Sequence, residues 1–579
     1  MLGAWIGNQT KDDAPWETII DKINSNLERW KHLHPTLNGR KLIIQVVVGG
    51  HTQFLANAQG MPKHIENALK RIIKSFMWDD DSSPRITCNT LCHPIHEGGL
   101  GLLDITARNE AIDIIWLKKY LNFSLTCPIW AAITDIIIQE LAPRWIVDEI
   151  EYHPFLQCWN IPTPGPANTN ISNDIKRMLR IAKKYKTNLA AICLTPHLNT
   201  QLPTWYHLAT ETRLMLGMAT KCLIKKHKAT IVADLLRTST RVRNAETEHR
   251  PSPYCQCQDC ELDKQKDCLN PHACATEASI RLQLIAPKLN PLARPPSNDN
   301  LSLTATRKTN NETARRTNQD ITFNPTITSR TNLTECFRIF TDPGRISNSP
   351  ATRHHTQPQE MGLPPITMYT NGACFNNGKE DARSGSGIWF GQNDSRNTAL
   401  KVPGKAQSNQ IGEICTVIIA AEKVLRYQPM IIVTDSKYVI NGLTTHLDEW
   451  ENKGWTEVKN KIFFKRAAYL LRKRSATTTF RWVKGHNGNP ENEQSNALAK
   501  QGVMKNSNNV LNLNIPKEFD LQGVRLISLT QATAYRGIKE REPLTNREST
   551  KRNITLTIEA IQNYTGSKET EAAIWQGLR

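Results

Sequence analysis

Between residues 362 and 503 short apolar runs alternate with amphipathic helical stretches, and no other part of the chain restricts the fold as tightly. Residues 366–369 form an apolar run that ends in Thr370-Asn371-Gly372, and residues 385–390 form a second run after a turn-rich stretch. Residues 430–433 are almost wholly apolar, which suits a strand covered on both faces. Asp435 follows at the carboxyl end of that strand, where α/β sheets place their sites. Helical spacing over 410–426 puts Ile414, Val417, Ile418, Ala421 and Leu425 on one face. A helix over 458–474, a strand over 478–483 and a helix over 492–503 complete the expected order.

Several motifs sit at the ends of these elements. They are Tyr369-Thr370-Asn371-Gly372, Asn409-Gln410-Ile411-Gly412-Glu413, Thr434-Asp435-Ser436-Lys437-Tyr438 and Trp482-Val483-Lys484-Gly485-His486. Their order resembles type 1 ribonuclease H in the version carried by retroelements. The resemblance implies an α/β fold with a mixed five-stranded sheet, and hydrolysis of the RNA strand of an RNA–DNA hybrid. It places the catalytic positions at Asn371, Glu413, Asp435 and Asn496, with His486 on a mobile loop linked to proton transfer or product departure. Two of those positions, acidic in the family, carry amides here: Asn371 and Asn496.

Phosphodiester hydrolysis by two Mg²⁺ ions needs several negative charges, because two dications must sit about 4 Å apart. Glu413 and Asp435 supply two such charges. An amide offers one neutral oxygen and cannot bridge two ions. Binding of Mg²⁺ or Mn²⁺ is therefore expected to be weakened and cleavage impaired. The alternative is a non-catalytic nucleic-acid-binding module derived from a retroelement.

For substrate contact, the resemblance implies that Asn376, Asn377, Asn409 and Gln410 face the minor groove. Trp450 and Trp455, with the basic residues Lys459, Lys465, Arg466 and Arg472, resemble the segment that grips the duplex. Taken singly, each of these residues fits a structural role, the tryptophans as core and the basic residues as solvated surface, as well as a binding one; their clustering favours binding. The formal charge of +19 over 579 residues also favours a polyanionic partner. RNA–DNA hybrid or another nucleic acid is the expected partner, with no membrane and no small-molecule substrate. No apolar run reaches signal or membrane-span length, so an intracellular and nuclear protein is expected.

Upstream, residues 12–125 read as mostly helical, with Trp16, Ile19, Ile20, Ile23, Leu27 and Trp30 at helical spacing. Ser75-Phe76-Met77-Trp78 and the Gly98-Gly99-Leu100-Gly101 turn resemble the region that follows the polymerase core of non-LTR reverse transcriptases. Residues 126–250 continue in helical blocks. In 251–287, Cys255, Cys257, Cys260, Cys268, His272 and Cys274 offer six soft ligands where Zn²⁺ needs four, so the segment holds either a zinc site or packed thiols. The Asn-, Thr-, Ser- and Pro-rich stretch 288–360 is expected to be a disordered linker. The α/β domain spans 361–505, and 506–579 reads as a polar tail with one helix near its end.

Overall fold

A computed structural model describes residues 14–79, 86–157, 171–210, 214–244, 248–293, 301–326, 329–353, 362–485, 487–506, 510–543, 548–566 and 568–577. The α/β region is a six-stranded sheet. Its strands are β1 (Ile321–Thr322), β2 (Ile366–Phe375), β3 (Arg383–Trp389), β4 (Thr398–Lys401), β5 (Met430–Thr434) and β6 (Thr478–Trp482). The order is β1-β6-β5-β2-β3-β4. The two central junctions, β2 with β5 and β5 with β6, are parallel, and the other pairs are antiparallel. The five strands expected from the sequence are thus joined by a short edge strand.

Four helices flank the sheet: α1 (Asn409–Lys423), α2 (Lys437–Thr444), α3 (Lys461–Arg472) and α4 (Pro490–Met504). The first, third and fourth begin within about three residues of their expected starts, and α2 is an addition to the expected order. The first helix stops at Lys423 rather than 426, because Val424 turns to an extended conformation, and Leu425 is left exposed. Side-chain oxygens of Ser408, Ser436 and Asn489 cap three of the helices by accepting a backbone N–H three residues on.

Glycines let these helices lie directly on strand backbone. A Cβ on Gly387 would stand 2.0 Å from the Ser495 carbonyl oxygen, and one on Gly385 2.2 Å from that of Ala499. On the opposite face a Cβ on Gly372 would stand 2.5 Å from the Glu413 nitrogen. The sheet is therefore pinned between α1 and α4 at positions where no side chain fits.

Two of the expected segments differ from expectation. Within 288–360, residues 305–317 form a helix whose Asn311 side chain bonds both the N–H and the carbonyl of Thr322, so β1 comes from the stretch expected to be a linker. Within 506–579, Val524–Arg525 joins a three-stranded sheet with Phe337–Ile339 and Asn188–Leu189. Helix Gln531–Lys539 then buries Ala534 and Ile538 in the helical body. Both segments are polar overall, yet each carries a few apolar residues that dock on distant elements.

Upstream, two apolar clusters meet at helix Ile105–Tyr120. Ile105 and Ile112 belong to the cluster around Trp16, Ile44 and Leu69, while Ala111, Ile114 and Leu117 belong to the cluster built from later residues. No described helix is long and apolar enough to cross a membrane.

Replacing Gly387 by Ala should destabilise the α/β domain by about 3 kcal/mol or more, since backbone rather than a side-chain tip must move. Urea unfolding of the variant checks this; a loss below about 1 kcal/mol would show that α4 can shift freely.

Candidate active site

Parallel pairing of β2 with β5 sets Thr370 beside Thr434, so the next residues, Asn371 within β2 and Asp435 just past the end of β5, lie side by side. Asn371 is buried. It pairs with Gly387 across β2 and β3, and so shares the sheet face that α4 covers. Asn496 sits on α4 itself and is partly exposed.

The close approach at Gly372 brings the first turn of α1 onto the strand and delivers Glu413 to the same place. Glu413 is buried, and its Oε2 has no hydrogen-bond partner among the described residues. Burial pushes its carboxyl up to about 8; the negative charge of Asp435 adds to this, and a Gly372 N–H offsets it in part. Asp435 is half-buried. Its backbone carbonyl accepts from Trp482 Nε1 at 3.1 Å, and Gly485 lies close enough that a Cβ there would sit 2.7 Å from Asp435 Oδ2. The loop after β6 therefore passes over the Asp435 carboxylate. His486, the next residue in that loop, lies outside the described residues. No third Asp, Glu, His or Cys converges with Glu413 and Asp435 among the described residues.

Of the four amides, Asn377 and Asn409 are in direct contact. Asn377 Oδ1 accepts the Asn409 N–H at 3.3 Å, Gln410 is exposed beside it, and Asn376 donates to Asp381 at 2.7 Å. The expected duplex grip is mostly not a surface. Trp455 is 2% exposed and belongs to the core, and Trp450 packs against it at a tilt and edge-on to Phe464. Arg466 is buried against Glu422 and the Asn514 carbonyl, and Arg472 is buried in a two-bond pair with Glu451. Lys465 pairs with buried Asp520 at 3.4 Å. The reason is the segment expected to be a tail: residues 510–526 lie along α3 and cover its basic face. Lys459 is exposed, as are Lys437 and Lys484.

The cysteine-rich segment divides in two. Cys255, Cys257 and Cys260 gather with His249, while Cys268 and Cys274 gather with Cys222 and His227. His272 joins neither group; its Nδ1 lies 2.9 Å from His249 Nε2. Cys222, His227 and His249 were missed from sequence because they precede the cysteine run. The surplus of six ligands over the four that one site needs was the available signal.

A mixed sheet with Asp435 at the end of its central parallel strand and Glu413 of α1 beside it is a ribonuclease H-like α/β layout. The RNase H family profile matches residues 364–504. Ribonuclease H of Polynucleobacter asymbioticus is 35% identical over 147 residues, covering 24% of this chain and 90% of that protein. Ribonuclease H1 of Mus musculus is 31% identical over 144 residues, covering 24% of this chain and 50% of that protein. Among solved structures, LC9-RNase H1, a type 1 RNase H with the type 2 active-site motif, aligns with a TM-score of 0.22 at 25% identity, covering 25% of this chain and 74% of that one. Through this domain the chain belongs to the ribonuclease H family. It spans about half the length of the mammalian ribonuclease H1 proteins it matches.

Because the Glu413 carboxyl is raised, its contribution to stability is complete below the unfolded value of 4.5 and is lost as pH rises through about 8. Glu413→Gln should therefore raise the unfolding temperature at pH 9 by about 5 °C and leave it unchanged at pH 4. Thermal scans at both pH values check this; an equal shift at the two would contradict it.

Proposed function

We propose that the chain recognises RNA–DNA hybrids through its ribonuclease H domain and that Asn371 and Asn496 reduce hydrolysis of the RNA strand to a small residue of the family's activity. The carrying observation is the site's charge. Glu413 and Asp435 converge, but the buried position between them and α4 is a neutral amide. Resident Mg²⁺ or Mn²⁺ in this family supplies the activated water and charge neutralisation that hydrolysis needs. The donor set here does not fit two such ions: it has two carboxylates, Glu413 and Asp435, and two neutral amides, Asn371 and Asn496.

Recognition rests on the exposed amides Asn376, Asn377, Asn409 and Gln410, with Lys437, Lys459 and Lys484 as phosphate contacts. Trp455, Arg466 and Arg472 support the fold instead. A non-catalytic binding module is the second reading, and the burial of Asn371 favours it. The upstream resemblance of residues 12–125 supports a chain derived from the downstream part of a retroelement polyprotein, working on nucleic acid within the cell, the nucleus included.

The test uses the full chain on a labelled hybrid with Mg²⁺. The natural chain should shift the hybrid in a gel yet cut it slowly. The Asn371→Asp, Asn496→Asp double variant should cut the RNA strand about 100-fold faster or more. Equal cutting by both would refute the disabling role of the amides. Cutting by neither, with binding intact, would favour the pure binding module.

A further inference from the structure

The two cysteine–histidine groups have the composition and the dimensions of closed metal cages. In each, one nitrogen and three sulfurs lie within 4.8 Å of one another. A tetrahedral Zn²⁺ with its usual bond lengths sets sulfur–sulfur separations of about 3.8 Å and sulfur–nitrogen separations of about 3.5 Å. Cys268 Sγ and Cys274 Sγ stand 3.6 Å apart. His249 Nδ1 stands 3.6 Å from Cys257 Sγ and 3.4 Å from Cys260 Sγ. The cysteines are free thiols, and the Cys268–Cys274 gap is well beyond the ~2.05 Å of a disulfide.

The surroundings point the same way. The His227 side chain is 4% exposed, and its Nε2 has no hydrogen-bond partner among the described residues. Its other nitrogen, Nδ1, faces Asp263 at 3.4 Å. A carboxylate behind one ring nitrogen and a free lone pair on the other is how a metal-bound histidine is oriented. In the second group His272 takes the same place behind His249. N–H groups also aim at the sulfurs, as thiolates require: Arg250 N donates to Cys255 at 3.3 Å and Arg241 Nη1 to Cys260 at 3.7 Å. Arg241 and Asp263 are ion-paired and buried, so one pair touches both cages.

We propose that residues 218–283 hold two structural zinc ions, one bound by Cys222, His227, Cys268 and Cys274 and the other by His249, Cys255, Cys257 and Cys260. Four protein ligands leave no open position, which is the pattern of a structural rather than a catalytic site. Each ion displaces three thiol protons to solvent, and the histidine enters neutral. The cages clamp helix Met218–Lys225 to helix Pro271–Gln283, and the 249–257 loop to helix Gln258–Lys264. The proposal does not depend on the nuclease reading, since it shares no residue with that site.

The test measures metal in the full chain by mass spectrometry after exhaustive dialysis, and by absorption after Co²⁺ replacement. Two zinc ions per chain are expected. Cys257→Ser with Cys260→Ser should leave one, and so should Cys268→Ser with Cys274→Ser. Should those variants fail to fold, His227→Cys and His249→Cys keep four ligands. Each should retain two metals and add intensity to the near-ultraviolet thiolate–cobalt band. Fewer than two metals in the natural chain, metal content indifferent to the cysteine pairs, or a cobalt band unchanged by the histidine substitutions would overturn the proposal.

Discussion

Burial of Glu413 beside Asp435 is the interaction on which the α/β domain's design depends. Two like charges at the end of parallel strands repel in a region with little water, and burial of one raises its proton affinity. Where all four positions are acidic, bound cations are needed to offset that repulsion. Here two of the four positions, Asn371 and Asn496, carry amides, and burial beside Asp435 raises the Glu413 carboxyl. Strand, α1 and α4 are in close backbone contact at Gly372, Gly385 and Gly387. The amides Asn371 and Asn496 bring fewer like charges together at the site, which eases the electrostatics of the fold.

Much of this domain was legible in the sequence because its information is local. The apolar run 430–433 and the helical spacing of 410–426 each fix an element from neighbours alone, and the motifs at their ends fix the site. What was not legible depends on contacts between residues far apart. Trp455, Arg466 and Arg472 read equally well as a surface grip, but long-range packing makes them interior: Trp455 joins the domain core, Arg472 pairs with Glu451, and Arg466 bonds Glu422 and the Asn514 carbonyl of the late segment. The stretch 288–360 looked too polar to order, yet Asn311 and Ile321 suffice to add a strand to an existing edge. The cysteines read as one overfilled site, because His227 and His249 are brought in by helix packing rather than by spacing.

Contacts between the parts of the chain are specific rather than loose. Arg338, 2% exposed in the middle of the three-stranded sheet, donates to the Gln522 and Gly523 carbonyls and also to that of Glu451 in the ribonuclease H domain. Glu451 in turn holds Arg472 of α3. A buried guanidinium that spends its donors on backbone carbonyls ties the helical body, the late segment and the nuclease domain at one point. The side chains of this chain that stay exposed near the site are accordingly the amides Asn376, Asn377, Asn409 and Gln410 and the lysines Lys437, Lys459 and Lys484, not the buried arginines of the basic helix.

The central claim is that the site lacks the charge to hold two catalytic ions. Crystals of the full chain soaked in Mn²⁺ and measured at the manganese absorption edge would test it most directly. The account predicts at most one weak anomalous peak, between Glu413 and Asp435. Two strong peaks about 4 Å apart, ligated by Asn371 as well, would contradict it.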